Sequence, residues 1–438
     1  MADKNLNSSK SESGDIRTFS IASNAGGKSI SLKTSISDFR YFESITDPTI
    51  RVNIIFSDTG NSMEGKNILR ELPIVGTEKC EITVLDNSDN EIQVELLVND
   101  VIPIQENTKE TVVKLQLVSK EFVENELSRV NLRFDGKVSD HINKILTEKE
   151  FIGTEKQVDV EQTVNVYNFF GNNKKPMYTC SWLAKKGVPN TGGGLGKTAG
   201  FFFYETNKGY KFKSIETLIK QGPKRKLIYT STPDSKGAAI PEGYDGKVLE
   251  LQNGGNMNAQ SKLEAGAYSN RHIKFDPFNC FYEVTNQTSQ ETEGDLELAG
   301  EELPKLNPEL DAKLNKFTKT TYALVDRGVI PTGTSEQQIE KSEEINIDYS
   351  NIVNQAQMRY NQLFTIKKSI TIPGDFSLNA GDAIFLDIPE TSEDKMNQKT
   401  DPATGGLYII ADLCHFISPE RCLTKLNLIR DSYGRKVT

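Results

Sequence analysis

The chain has 438 residues, of which 36% are hydrophobic, and its formal net charge is −9 at pH 7. That length predicts about three domains, and the negative balance argues against a nucleic-acid coat built on basic patches. No stretch approaches the ~18 apolar residues of a membrane span, so stable membrane association is not expected.

Residues 1–35 open on "MADKNLNSSKSESGD" and carry no apolar signal segment, which predicts a disordered or extended N-terminal arm. Residues 36–118 have the alternation of half-buried antiparallel strands. Ile82 and Val84 share one face; so do Ile92, Val94, Leu96 and Val98, and Val113, Leu115 and Leu117. Asp86, Asn87, Asp89 and Asn90 loosely resemble a calcium loop, but "LDNSDNEI" joins two strands and lacks the glycine and terminal glutamate of an EF-hand. A hairpin turn is the better reading.

Residues 119–247 predict a middle α+β domain. Val138, Ile142, Ile145 and Leu146 fall at helical spacing, a second helix is expected around Trp182, and "FFFYETNKGYKF" reads as a hairpin. The basic run "GPKRKLIY" from Gly222 is expected to be a solvated loop. Residues 248–285 are β again, and residues 286–345 predict an acidic linker or middle-domain insertion. Next comes a helix, N-capped by Asp348, with Ile352, Val353, Ala356, Tyr360 and Leu363 on one stripe. Strands follow at Ile370 and Ile372, Ile384 to Ile388, Leu407 and Ile409, and Leu426 and Leu428; residues 431–438 form a tail.

Catalytic signals are thin. His141, His272 and His415 are far apart and in no metal-binding spacing, and no G-x-S-x-G elbow occurs. Five scattered cysteines (Cys80, Cys180, Cys280, Cys414 and Cys422) contain no C-x-x-C and fit free thiols in a protein made in a reducing cytoplasm. Gly196, Lys197 and Thr198 supply the G-K-T of a nucleotide loop, yet Thr191 stands at its first glycine position. A turn precedes "PNTGGGLGKTAG" and a strand follows, so no helix N-terminus is available to hold phosphates. The Gly192–Thr198 stretch therefore reads as a surface loop. No catalytic, cofactor-binding or metal-binding residue is assigned and no cofactor is expected.

Two segments share a grammar. "LLVNDVIPIQENTKETVVKLQLVS" from Leu96 and "YIIADLCHFISPERCLTKLNLIRD" from Tyr408 each place an Asp (Asp100, Asp412) at the end of an apolar strand. Each then has a polar turn and a K-L-x-L-[VI] strand, Lys114–Val118 and Lys425–Ile429. Two hairpins can match by chance, since L-x-L is common. The sharper reading is one barrel-like unit used twice, at residues 36–118 and at 248–285 with 346–430.

"RYFESITDPTIRVNIIFSD", "ELPIVGTEKCEITV", "LEAGAYSNRHIKFDPFNCFYEV" and "GDFSLNAGDAIFLDI" are similar to segments of the central baseplate hub of T-even-like contractile-tailed phages, in order, over roughly residues 35–435. The resemblance implies a mainly β, α+β fold with two tail-tube-like antiparallel β-barrels and a middle region. It also implies a non-enzymatic homotrimer in the virion that adapts the hexameric tail tube, or its initiator ring, to the trimeric central spike. Other baseplate proteins would be its neighbours, and DNA would only pass through its lumen. The rival classes are a tail-associated cell-wall hydrolase or protease, which needs a titratable cluster, and a carbohydrate-binding tail protein.

Overall fold

A computed structural model describes residues 14–24, 29–59, 74–106, 109–190, 198–230, 240–255, 258–276, 280–313, 318–324, 334–337, 346, 349–390 and 400–436. The fold is mainly β with α+β character, and its principal sheet has 14 strands. The first unit comprises β1 (Asp15–Ala22), β2 (Ser29–Ser31), β3 (Ile36–Ser44), β4 (Arg51–Asp58), β5 (Lys79–Leu85), β6 (Glu91–Glu106) and β7 (Thr111–Val118). Alternation does the sorting: Val52, Ile54 and Phe56 of β4 are buried beside Val113, Leu115 and Leu117 of β7. The lateral order is β3-β4-β7-β6-β5-β1-β2. β2 and β3 lie on one stretch of chain separated by a single helical turn, Lys33–Ser35, so the two ends of the run are neighbours in sequence.

The middle region carries helices Lys120–Leu127, Val138–Thr147 and Pro176–Ala184, with β8 (Arg133–Phe134), β9 (Val158–Val160), β10 (Phe169–Phe170), β11 (Phe201–Thr206) and β12 (Gly209–Ser214). Val138, Ile142, Ile145 and Leu146 all turn into its own core with Phe134, Phe151 and Phe203. The second helix and the β11–β12 hairpin lie where the sequence places them.

A second unit starts with β13 (Arg225–Tyr229), β14 (Gly246–Val248) and β15 (Glu250–Asn253). β16 (Ser269–Asp276), β17 (Phe281–Thr288) and β18 (Lys319–Leu324) then form a separate three-stranded sheet, and the long helix Tyr349–Leu363 packs near it. β19 (Ile366–Pro373), β20 (Ala383–Asp387), β21 (Gly406–Ile417) and β22 (Cys422–Arg430) complete the second unit. Its pairings run β15-β19-β22-β21-β20-β13-β14. Strand for strand, this repeats the first unit. β14 and β15 adjoin across Leu249, as β2 and β3 adjoin across Lys33–Ser35. One polarity differs: β13 runs parallel to both its neighbours, whereas β1 is antiparallel to both of its own.

The duplication extends to an irregularity. The β6·β7 ladder slips between Val98 and Asp100, and the β21·β22 ladder slips between Ile410 and Asp412. Val98 faces Leu117 and Asp100 faces Gln116; Ile410 faces Leu428 and Asp412 faces Asn427. Each bulge spares one residue, Asn99 or Ala411, and bends the longer strand at the same point. Leu115, Leu117, Leu426 and Leu428 are all buried in one continuous core.

Several expectations are corrected. Residues 15–31, assigned to the arm, supply β1 and β2, because Phe19 and Ile21 alternate into the core from a polar-looking stretch. "GPKRKLIY" is no solvated loop: Leu227 is buried in β13, while Lys224 and Arg225 are ion-paired with Asp382 and Asp375. β16 takes β17 on one edge and β18 on the other, so this hairpin builds a separate sheet and does not join the second unit. The acidic stretch is partly packed through Leu298, Ala299 and Leu303. Asp431 and Ser432, in the expected tail, are fully buried.

Leu117→Asp and Leu428→Asp are each expected to destabilise the chain by more than ~3 kcal/mol, because either places an unpaired charge in an apolar core. Exposed Lys425→Gln is expected to stay within ~0.5 kcal/mol of the parent. Chemical denaturation of the three variants against the parent checks both.

Candidate functional site

The two units meet along one ladder, and groups from both units and from the β11–β12 turn converge on it. The segment of β21 before its bulge pairs with β20; the segment beyond, Asp412–Ile417, pairs with Ser44–Phe39 of β3. The bulge marks the change of partner: beyond it β21 stays paired with β22 on one side and exchanges β20 for β3 on the other. Ile45 N–H donates to Ala411 O at 2.9 Å and Ser44 Oγ donates to Asp412 Oδ1 at 2.6 Å.

Glu43 lies in this ladder with 2% of its surface exposed. Its carboxylate accepts from Tyr41 Oη (2.7 Å), Asn207 N–H (2.8 Å), Ala380 N–H (2.8 Å) and Asn379 Nδ2 (3.1 Å). One side chain thus ties β3 to the β11–β12 turn and to the loop before β20. Burial pushes its pKa up to about 7, and the four donors oppose that rise.

Neighbouring carboxylates are likewise consumed by structure. Asp86 accepts from Ser88 and Asn90 N–H within its turn and from Phe376 N–H of the second unit at 2.7 Å. Glu205 accepts from Ile50 N–H, and Lys156 bridges it to Glu121 at 2.6 and 2.7 Å. Arg359, wholly buried on the long helix, meets Glu216 at 3.1 Å and Asp431 at 2.7 Å and donates to Glu297 O. Removing one member of such a set strands a buried charge.

The histidines stay apart. His415 sits on the ladder between Tyr41 and Phe376, ring centroids 5.9 and 4.7 Å away, and burial depresses its pKa to about 4. His141 contacts Tyr167 O and His272 contacts Thr321 Oγ1, and burial lowers both pKa values. Among the described residues no group of three or more His, Cys, Asp or Glu could hold a metal ion. A cleft of about 660 Å³ is lined by Phe201, Phe202, Phe203, Tyr360 and Phe364; its charged lining residues are Lys185 and Lys319, so it brings no acid–base pair together. Of the Gly192–Thr198 loop, residues 192–197 lie outside the described residues; Thr198 is buried, and β11 follows at Phe201 where a nucleotide loop would need a helix. The Asp348 cap also lies outside them. None of the five cysteines is joined in a disulfide.

The sequence reading missed one surface. Phe275 faces both Tyr282 and Leu324, and Ile273 faces both Val284 and Tyr322, so these residues share a face of the β16–β18 sheet. Tyr282, Tyr322 and Leu324 are 69%, 78% and 67% exposed. Exposed apolar residues that share one face are candidates for an interaction surface. Its signal was the alternation in "HIKF" and "YEV".

No family model and no curated protein matches the sequence. Solved structures match its fold, tail proteins among them. The 43 kDa tail protein of prophage MuSo2 from Shewanella oneidensis is 9% identical; the match covers 94% of this chain and 98% of that one, with a TM-score of 0.52. The tail protein from Neisseria meningitidis MC58 is also 9% identical, with 97% and 100% covered and a TM-score of 0.54. The chain therefore has the fold of phage tail proteins.

Because Glu43 is lifted from the usual carboxylate range to about 7, the folded state binds its proton more tightly than the unfolded state. Its stabilising contribution is full below about pH 4.5 and is lost as pH rises through about 7. Glu43→Gln is expected to gain up to ~3 kcal/mol on the parent between pH 5 and pH 8. Denaturation midpoints of both proteins across that range test this; a difference flat in pH would contradict it.

Proposed function

We propose that this chain is the structural hub of a phage tail baseplate. It acts as a homotrimeric adaptor between a six-fold tail tube, or the ring that initiates it, and a three-fold central spike. The carrying observation is the repeated strand order, β3-β4-β7-β6-β5-β1-β2 and β15-β19-β22-β21-β20-β13-β14, with its matching bulges. A six-fold tube and a three-fold spike share like-for-like contacts only through a part that has both symmetries. Two equivalent units per chain, three chains to a ring, supply that part.

In this reading each unit is a tail-tube-like barrel. The support is that the run of paired strands in each unit begins and ends on one stretch of chain, residues 29–44 in the first and 246–253 in the second. The middle region and the β16–β18 sheet would face the spike and other baseplate proteins. The ring would enclose a channel for the genome. A chain of net charge −9 suits such passage, because a basic wall would retain DNA. The role needs no catalytic residue, cofactor or metal. Enzymes of the cell-wall hydrolase class gather carboxylates in a cleft, whereas the buried carboxylates here are taken up by backbone and side-chain donors.

The purified chain is expected to have three times the 48.9 kDa chain mass by light scattering at micromolar concentration. A persistent monomer or a closed hexamer would contradict the adaptor role.

A further inference from the structure

The chain shows how one of its units joins the next, and it repeats both halves of that joint on its outside. In the internal joint, the part of β21 beyond the bulge at Ala411 pairs with β3. The first-unit counterpart of β21 is β6. There β5 covers residues 91–97, and Val98 ends the coverage with backbone bonds to Thr77 and Glu78. Beyond the bulge at Asn99, residues 100–106 pair with β7 on one side only. Along the other edge no strand pairs among the described residues, and Ile102 and Ile104 are 36% and 54% exposed. The second-unit counterpart of β3 is β15, which among the described residues pairs with β19 alone and exposes Gln252 and Asn253.

We propose that a second copy of this chain fills these edges: β6 beyond its bulge pairs antiparallel with β15 of the neighbouring copy, repeating between chains the β21·β3 joint found within one. The proposal rests on the trimeric reading and assigns its interface. Unpaired edges of this length are a hazard unless something covers them. A joint between unlike edges is heterologous and propagates until it closes. With two units per chain, internal and external joints alternate, and a closed ring leaves no edge.

The repeat also fixes the register. Leu117 faces Val52 and Leu428 faces Lys368, so Tyr41, opposite Val52, corresponds to Asn253, opposite Lys368. Leu115 matches Leu426, so Val113 matches Thr424; Pro103, opposite Val113, then corresponds to His415, opposite Thr424. His415 faces Tyr41 within the chain, with rings 5.9 Å apart. Hence Pro103 faces Asn253 of the neighbouring copy, and Ile102 faces its Gly254. Pro103 has no N–H, so this position supplies no donor to the joint.

The test places Pro103→Cys and Asn253→Cys in a Cys280→Ser background, which removes the most accessible native thiol; Cys414 is half-buried and the other three are buried. Facing residues of an antiparallel pair have Cα atoms roughly 4.5–5.5 Å apart, inside the range a disulfide spans. Mild oxidation is expected to convert most of the chain into dimer and trimer bands on non-reducing gels, reversed by reductant. The out-of-register pair Pro103→Cys with Glu250→Cys is expected to give at least several-fold less. Light scattering on the same preparations separates the two levels. A trimer that shows no in-register cross-link, or equal cross-linking by both pairs, overturns this interface and leaves the trimeric reading standing. A preparation that stays monomeric and uncrosslinked overturns both.

Discussion

Everything in this chain is organised by the ladder between Asp412–Ile417 and Phe39–Ser44. It turns two β units into one 14-stranded sheet and fixes their mutual rotation. Each backbone hydrogen bond across it contributes only ~1 kcal/mol net. Its importance is geometric: the bulge at Ala411 aims the far half of β21 outward, and only an edge of the right polarity can take it. The matching bulge at Asn99 aims β6 the same way. One structural device, used twice, gives a building block with two like joints.

Around the ladder the protein relies on buried polar contacts where an apolar core would be less specific. Glu43 reaches three separate segments, and Asp86 ties the β5–β6 turn to Phe376. Arg359 links the long helix to Glu216 and to Asp431 beyond the last strand. Buried charges of this kind add little net stability, but each admits only one arrangement of its partners. A part that must hold two units at a fixed rotation needs that kind of constraint. The same contacts engage the carboxylate oxygens of Glu43, Asp86 and Asp431.

Much of the β architecture was legible because alternation survives in a single sequence. Leu115, Leu117, Leu426 and Leu428 carry the repeat, and the Asp and Lys residues flanking them keep its register, Asp100 with Asp412 and Lys114 with Lys425. The hairpins around Asp86 and at Phe201–Ser214 were legible for the same reason. Non-local pairing was not. Nothing in "GPKRKLIY" says that its lysine and arginine will meet Asp382 and Asp375, which lie about 150 residues away. β1 hid among serines and asparagines, and β16 and β17 looked like second-unit strands because their alternation is the same whichever sheet receives them. The buried Asp431 was unreadable: only its partner Arg359 shows why a polar tail should fold inward.

The most direct test of the hub reading is electron cryomicroscopy of the purified assembly viewed down its axis. The expected image is a ring of six similar lobes around an open channel, with three-fold symmetry and three chains accounting for all six lobes. A ring built from six chains, or particles with one lobe pair and no closed ring, would contradict it.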